Sequence, residues 1–267
     1  MIYAVTFLAT QQVMVKLLPG LPPHEIVFFR ALTSFIISSA VMHKENVSFR
    51  GNNYVLLILR GIIGTFSLIT FFYSLQHIPL ATAVTIGHLS PVFLGMLAVT
   101  ILKEQIYARQ WIGIAIAFVG IILIKGFDTR INTFDLTIAI FSAILTAMAH
   151  FTVRMLKNES PLTVLFYFSL VMMVMIFPFL LTNWKTPSSY ELFILILLSI
   201  VSHYAQLFLT KALKAEEIGK INGIYYLGIV LSILAGFIIF DERFNLESLA
   251  GMTLILTGVL IGYFYKS

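Results

Sequence analysis

Ten runs of about 20 residues, nearly free of charge, divide this chain from end to end. A helix rising about 1.5 Å per residue needs roughly 20 apolar residues to cross the hydrocarbon core of a bilayer. In that medium the backbone can satisfy itself only within helices or closed barrels, and runs of this length are helices. The spacing predicts spans over 2–18, 24–42, 53–75, 80–102, 107–125, 134–154, 161–182, 190–213, 217–240 and 246–265. The breaks carry turn chemistry, as in "LPGLPPHE", "HKENVSFRGNN", "KGFDTRINTFD" and "TNWKTPSS". No soluble domain fits between them.

Composition points the same way. Of 267 residues, 59% are hydrophobic and 11% charged, whereas a soluble domain carries about 25% charged residues. The expected fold class is an all-α integral membrane protein, with the lipid bilayer as its solvent. Cysteine is absent, which excludes disulfides and thiolate metal sites. The net charge of +5 sits in loops, where basic residues are topology signals rather than a nucleic-acid surface. The opening "MIYAVTFLAT" lacks a basic n-region and a cleavage site, so it reads as a span and not a signal peptide. That span begins without a flank, which leaves the natural start open to lying upstream.

One set of loops plus the C-terminus holds Lys44, Arg50, Lys103, Arg109, Arg154, Lys157, Lys211, Lys214, Lys220 and Lys266. The opposite set holds Lys16, Lys125, Arg130, Lys185 and Arg243. The richer side is expected to be cytoplasmic. Both termini then lie inside a multi-pass protein of the bacterial inner membrane.

Sliding the chain along itself by 138 positions lays "ILKEQIYARQWIGIAIAFVG" (101–120) on "IFDERFNLESLAGMTLILTG" (239–258) without gaps. Glu104 meets Glu242, Gly113 meets Gly251, Gly120 meets Gly258, and the same offset puts Pro23 on Pro161 and Lys16 on Arg154. Two five-helix repeats follow, 1–129 and 130–267. Five is odd, so the copies face opposite ways across the membrane. Inverted repeats are a mark of secondary transporters, whose substrate site lies near the midplane between the repeats.

"FFRAL" (28–32), "LRGIIGTFSLITFFYSLQHIPLATA" (59–83), "SPVF" followed by Glu104, and "WIGIAIAFVGIILI" resemble the EamA-type carriers of the drug/metabolite transporter superfamily. So do "LFLTKAL" and "FDERFNLESLAGMTLILTG" in the second half. The resemblance implies ten helices in two inverted bundles, with helices five and ten at one edge. It implies a central cavity lined by helices one, three, four, six, eight and nine, and the movement of a small organic solute.

The polar residues of those helices are the candidate site. His88 sits near the midplane of helix four, with Thr85 on the same face, and Pro91 leaves the carbonyl of Gly87 without its helical donor. Helix eight carries Ser199, His203, Gln206 and Thr210 at helical spacing; helix six carries Ser142, Thr146, His150 and Arg154. Helix three offers Ser67, Thr70 and Ser74, helix nine Asn222, Tyr225 and Tyr226, and helix one Gln11 and Gln12. The substrate-binding set is therefore expected from His88, His203, Gln206, Tyr225, Tyr226, Asn222, Gln11, Gln12, Thr85, Ser74 and His150. The alternative for each hydroxyl is a bond to its own i−4 carbonyl, and for each histidine a satisfied interhelical bond. An ordinary histidine titrates near pH 6.5, which makes protons a candidate coupling ion.

Arg30, two turns into helix two, reads as structural with an internal partner, and Arg60 as snorkelling to the near interface. Glu104 and Glu242 suit the positive N-termini of helices five and ten. Gly258 with Gly262, and Gly113 with Ala117, mark close packing of those two helices, with each other or in a homodimer.

An intramembrane enzyme would need a nucleophile with a base, paired carboxylates or metal ligands; the central spans lack Asp and Glu, and no cofactor or metal motif occurs. A channel would show a charged ring or repeated filter. The polar set, poor in carboxylates, suits a zwitterionic or weakly anionic solute such as an amino acid derivative or nucleoside-like metabolite. A broad-specificity drug/metabolite exporter is the alternative. Reporter fusions at Ser267 and in the 126–133 loop are expected to report opposite compartments, with Ser267 cytoplasmic. The same compartment for both would end the ten-helix reading.

Overall fold

The computed structural model describes residues 2–102, 108–214 and 227–264. In chain order they form α1 (Ile2–Lys16), α2 (Pro23–Lys44), α3 (Tyr54–His77), α4 (Leu80–Gly87), α5 (Ser90–Leu102) and α6 (Ala108–Phe127). The second half gives α7 (Thr133–Met155), α8 (Pro161–Leu180), α9 (Ser189–Lys214), α10 (Leu227–Phe240) and α11 (Leu246–Phe264). No strand occurs among the described residues. Six spans within them are long and apolar enough to cross a membrane. Glu104, Lys220, Asn222, Tyr225 and Tyr226, and the packing of Gly262, lie outside the described residues.

Local chemistry sets the ends. Pro23 and Pro161 open α2 and α8, where a missing N–H costs nothing. Asn53, Asn132 and Ser160 accept the first free N–H groups of α3, α7 and α8. The expected fourth helix, 80–102, is in two pieces. His88 N still donates to Val84 O at 3.0 Å, but Leu89 N turns back to Ile86 O at 3.0 Å. That tightened turn ends α4 ahead of Pro91, and α5 resumes at Ser90.

Helix packing follows the 138-residue offset. The contact of α1 with α9 is the counterpart of α3 with α7, and α3 with α8 that of α2 with α9. The pairs α2 with α8 and α6 with α11 each map onto themselves. In the last pair the backbones touch. A Cβ at Gly120 would lie 2.6 Å from Gly251 O, and one at Gly258 would strike Gly113 O and Ala117 N. Those small-residue faces are spent on each other within the chain, so they are not free to meet a second copy.

Glu242 departs from its expected role. Rather than serving α11, both carboxylate oxygens accept from Leu80 N, at 2.9 and 3.0 Å, and one pairs with Lys16. The reason is local: Leu80 N is an unpaired first-turn donor of α4, buried where no water can answer it. Asp241, at φ 49°, adopts the left-handed turn just before Glu242. Glu159 does the same at α3, accepting from Asn52 N and Asn53 N. In the loop from α6 to α7, burial alone raises the Asp128 carboxyl pKa. The donors of Arg130 outweigh that and hold it below the usual carboxylate range.

Gly120→Ala is expected to destabilise the protein by about 1–3 kcal/mol through overpacking against backbone. Gly126→Ala, with nothing within 4 Å of its new methyl, is expected to leave the melting temperature unchanged. Equal melting temperatures for the two variants would show that α6 and α11 do not touch through Gly120.

Candidate functional site

The α1, α3, α7 and α9 helices converge on a small cavity of about 90 Å³, open on one side. The α1 wall contributes Leu8, Gln11 and Gln12; α3 contributes Arg60, Gly64, Ser67, Leu68 and Phe71; α7 contributes Thr146, Ala149 and His150. Gln206 and Leu209 come from α9, Val84, Gly87 and His88 from the broken end of α4, Arg30 from α2 and Phe168 from α8.

The lining obeys the sequence offset. Under a shift of 138, Leu8 falls on Thr146, Gln11 on Ala149, Gln12 on His150, Arg30 on Phe168, Leu68 on Gln206 and Phe71 on Leu209. Twelve of the lining residues are thus symmetry mates of one another, and the cavity lies where the two repeats meet.

Arg30 is 2% exposed and donates from Nη2 to Gln206 Oε1 at 3.0 Å. This is the internal partner expected of it, and it joins the two repeats; the same guanidinium also faces the cavity. Arg60 overturns its reading. It is 3% exposed and does not snorkel: its head lies 4.1 Å from the centre of the Phe168 ring. It folds back along α3 over Gly64, where a methyl would collide with its Nη1. A glycine one turn ahead of a buried arginine was the signal in the sequence, and an argument from distance to the helix end passes over it.

Four polar groups of the cavity keep atoms without a hydrogen-bond partner: Arg30 Nη1, Arg60 Nε and Nη1, Gln11 Oε1 and Gln12 Oε1. His88 is anchored by Nδ1, 2.7 Å from Val84 O. A carbonyl only accepts, so Nδ1 carries the proton of that bond. Gly228 of α10 approaches the other edge, with its Cβ position 3.5 Å from Nε2. Ser67 and Thr146 share a hydroxyl bond at 2.7 Å across α3 and α7.

Of the predicted site residues, Gln11, Gln12, His88, His150 and Gln206 come together on the cavity wall. His203, Thr85 and Ser74 do not line it. His203 is 1% exposed and its Nδ1 meets Ser34 Oγ at 3.0 Å, in the α2–α9 contact one turn before the Arg30–Gln206 bond. Thr85 and Ser74 donate to the carbonyls of Ala81 and Thr70 one turn back. No group of three metal-ligating side chains occurs among the described residues.

A family profile described as the EamA-like transporter family matches residues 1–126 and 133–264. A Pseudomonas aeruginosa protein named pseudopaline exporter CntI is 27% identical over 243 residues, 90% of this chain and 86% of that relative. A Rickettsia prowazekii protein named S-adenosylmethionine uptake transporter is 27% identical over 238 residues, 88% of this chain and 81% of the relative. A solved crystal structure superposes with a TM-score of 0.69, covering 97% of this chain and 92% of its own, at 16% identity. That likeness bears on the fold alone.

The two central histidines are expected to behave differently when each is replaced by alanine. His203→Ala removes a buried partner of Ser34 and should cost about 1–3 kcal/mol of stability. His88→Ala should weaken binding of any solute that stabilises the wild type, at a smaller cost in melting temperature. Equal loss of binding in both, measured by ligand-induced thermal shift, would remove this distinction.

Proposed function

The chain belongs to the EamA-like transporter family and is an integral membrane transporter of a small solute; we propose that it is a secondary carrier working by alternating access. Its cargo in this reading is a small zwitterionic or weakly anionic organic metabolite, held in the cavity between the repeats. The observation that carries the reading is that cavity: a part-open site with guanidinium, carboxamide and imidazole groups set in an apolar wall, built from offset-related residues of both halves. The substrate contacts are Gln11, Gln12, His88, His150 and Gln206, with Asn222, Tyr225 and Tyr226 at the offset positions of Val84, Gly87 and His88. Both termini lie in the cytoplasm of a bacterial cell, and the protein sits in the plasma membrane. Guanidiniums and carboxamides held at fixed positions support a selective site over a broad-specificity exporter, whose cavity would favour adaptable apolar walls.

The end carrying Lys16 is closed by bonds that cross between segments. Lys16 Nζ donates to Ile78 O at 2.9 Å and pairs with Glu242; Gln76 Nε2 donates to Leu18 O and Leu21 O at 2.6 and 2.9 Å. Glu25 accepts from Lys185 N, and Lys185 Nζ donates to Gly20 O. Thr82, behind this closure, is fully buried. In the alternating-access reading this is the outer gate in its shut state, and its rupture opens the site to the other side.

The experiment uses one preparation twice. In proteoliposomes, a carrier exchanges labelled for unlabelled solute in counterflow, which neither a channel nor a receptor does. Because the chain has no cysteine of its own, Thr82→Cys and Lys220→Cys can be labelled without background. The ligand-free Thr82 variant should resist an aqueous thiol reagent. A solute that favours one state binds it better than the other, so it should protect one cysteine and expose the other. Protection or exposure of both together would count against rocking of the repeats, and absence of counterflow against carriage.

A further inference from the structure

Two guanidiniums face one cavity in the hydrocarbon region, and among the described residues no carboxylate lines it. The described carboxylates sit near helix ends and in loops, where several answer backbone donors: Glu242 at Leu80, Glu159 at Asn52 and Asn53, Glu25 at Lys185. A buried charge without a counter-charge is strongly unfavourable, and structures that retain one pair it or use it. Neither arginine is positioned to escape. Arg30 is tied to Gln206, and Arg60 is pinned between Gly64 and the Phe168 ring. Each keeps donor atoms with no partner.

We propose that the ligand of this cavity is an organic anion with two acidic groups, one received by Arg30 and one by Arg60, and a hydrogen-bond donor received by Gln11 and Gln12. The assignment rests on the transport reading of the same site and narrows its substrate class. The two arginines reach the cavity from different helices and are steadied by different neighbours, Gln206 of α9 and Phe168 of α8, so they offer two seats rather than one fork. The unpartnered acceptors are on the remaining wall: Gln11 Oε1 and Gln12 Oε1 of α1. An ammonium, amide or hydroxyl fits there. Leu8, Leu68, Phe71 and Leu209 leave apolar wall for the carbon frame between these poles. The ligand is thus a small amino- or hydroxy-dicarboxylate in outline, and the cavity offers no seat for a bare cation.

The test is a thermal-shift titration of the full chain in detergent with a matched series: 2-aminoadipate, glutamate, glutarate, glutamine and lysine. The di-acids should stabilise the protein. Replacing one acid by an amide should weaken half-saturation by about 10- to 100-fold, as expected for losing one charged hydrogen-bonding partner. Arg30→Gln and Arg60→Gln should each erase the advantage of glutamate over glutamine. Arg60→Lys should keep part of it. The ligand-free Arg60→Gln variant should fold and melt close to wild type, because loss of the contact with the Phe168 ring is offset by removal of a buried charge that has no carboxylate beside it. Three results would overturn the assignment: stabilisation by lysine or glutamine equal to that by the di-acids; an acid preference surviving Arg60→Gln; or failure of that variant to fold. Counterflow keeps the two readings apart. Exchange of a solute without acid selectivity would leave the carrier reading and remove this one. Arginine-dependent acid binding without exchange would do the reverse.

Discussion

Hydrocarbon supplies no hydrogen bonds, so each polar atom inside this chain has to be answered by the protein itself. That demand explains contacts that look arbitrary one at a time. A glutamate just after α10 turns away from its own helix because Leu80 N, 162 residues away, has no other acceptor. Hydroxyls on α1, α3, α4, α7 and α9 fold back on the preceding turn. Against that background the exceptions carry meaning. Among the described residues, the buried side-chain atoms without partners include hydroxyls in several helices and a carboxylate oxygen of Glu25. Every guanidinium or carboxamide atom in that set belongs to a residue of the cavity wall. Among the described residues, the unsatisfied guanidinium and carboxamide atoms stand where a solute could satisfy them.

The duplication that built the chain explains where that place is, but not its chemistry. Packing pairs and lining positions both repeat at 138 residues, so the cavity lies on the line relating the halves. Its side chains break the relation at nearly every step. Thr146 faces Leu8, Gln11 faces Ala149, Arg30 faces Phe168, and Gln206 faces Leu68. In these four of the six pairs a polar residue in one repeat has an apolar counterpart in the other; Gln12 with His150 and Phe71 with Leu209 keep the same character. A symmetric cavity would accept a ligand equally in two orientations. This one holds its arginines on α2 and α3 alone and supplies, from the second repeat, the ring on which Arg60 lies.

How much of this could be read beforehand varies with the range of the deciding contact. The apolar spans were legible, and so were helices one, three, four, six and eight of the cavity, because hydrophobic length and polar stripes are local and hydrocarbon punishes exceptions; Arg30 of α2 and Phe168 of α8 join the wall from helices not expected there, and no described residue of α10 does. His88 and His203 looked alike in the sequence, each central in a span. What separates them is a serine on α2 that takes one of them out of the cavity wall. Thr85 and Ser74 looked like lining residues by spacing, but a hydroxyl can always be satisfied by its own helix. Arg60 was misread because snorkelling was judged from the distance to the helix end, while Gly64 decides the direction by leaving room for the guanidinium. Phe168 carried no polar signal at all, and its role is visible only as the offset mate of Arg30.

The break between α4 and α5 ties these threads together. A continuous helix through 80–102 would carry His88 on a regular ladder, with Pro91 leaving an unanswered carbonyl in lipid. Ending α4 at Gly87 turns that defect inward, and Gly87 and His88 both reach the cavity wall. The ring is then held by its Nδ1 proton on Val84 O, with its other nitrogen toward α10. At the offset positions the second repeat has Asn222 for Val84, Tyr225 for Gly87 and Tyr226 for His88, and no proline at 229, where Ile stands. Asn222 against Val84 repeats the polar-against-apolar relation of four of the six described pairs, and Tyr225 against Gly87 sets a large side chain against none. A proline at this position in one repeat alone is itself an asymmetry of the sequence, and it falls where Gly87 and His88 reach the cavity wall.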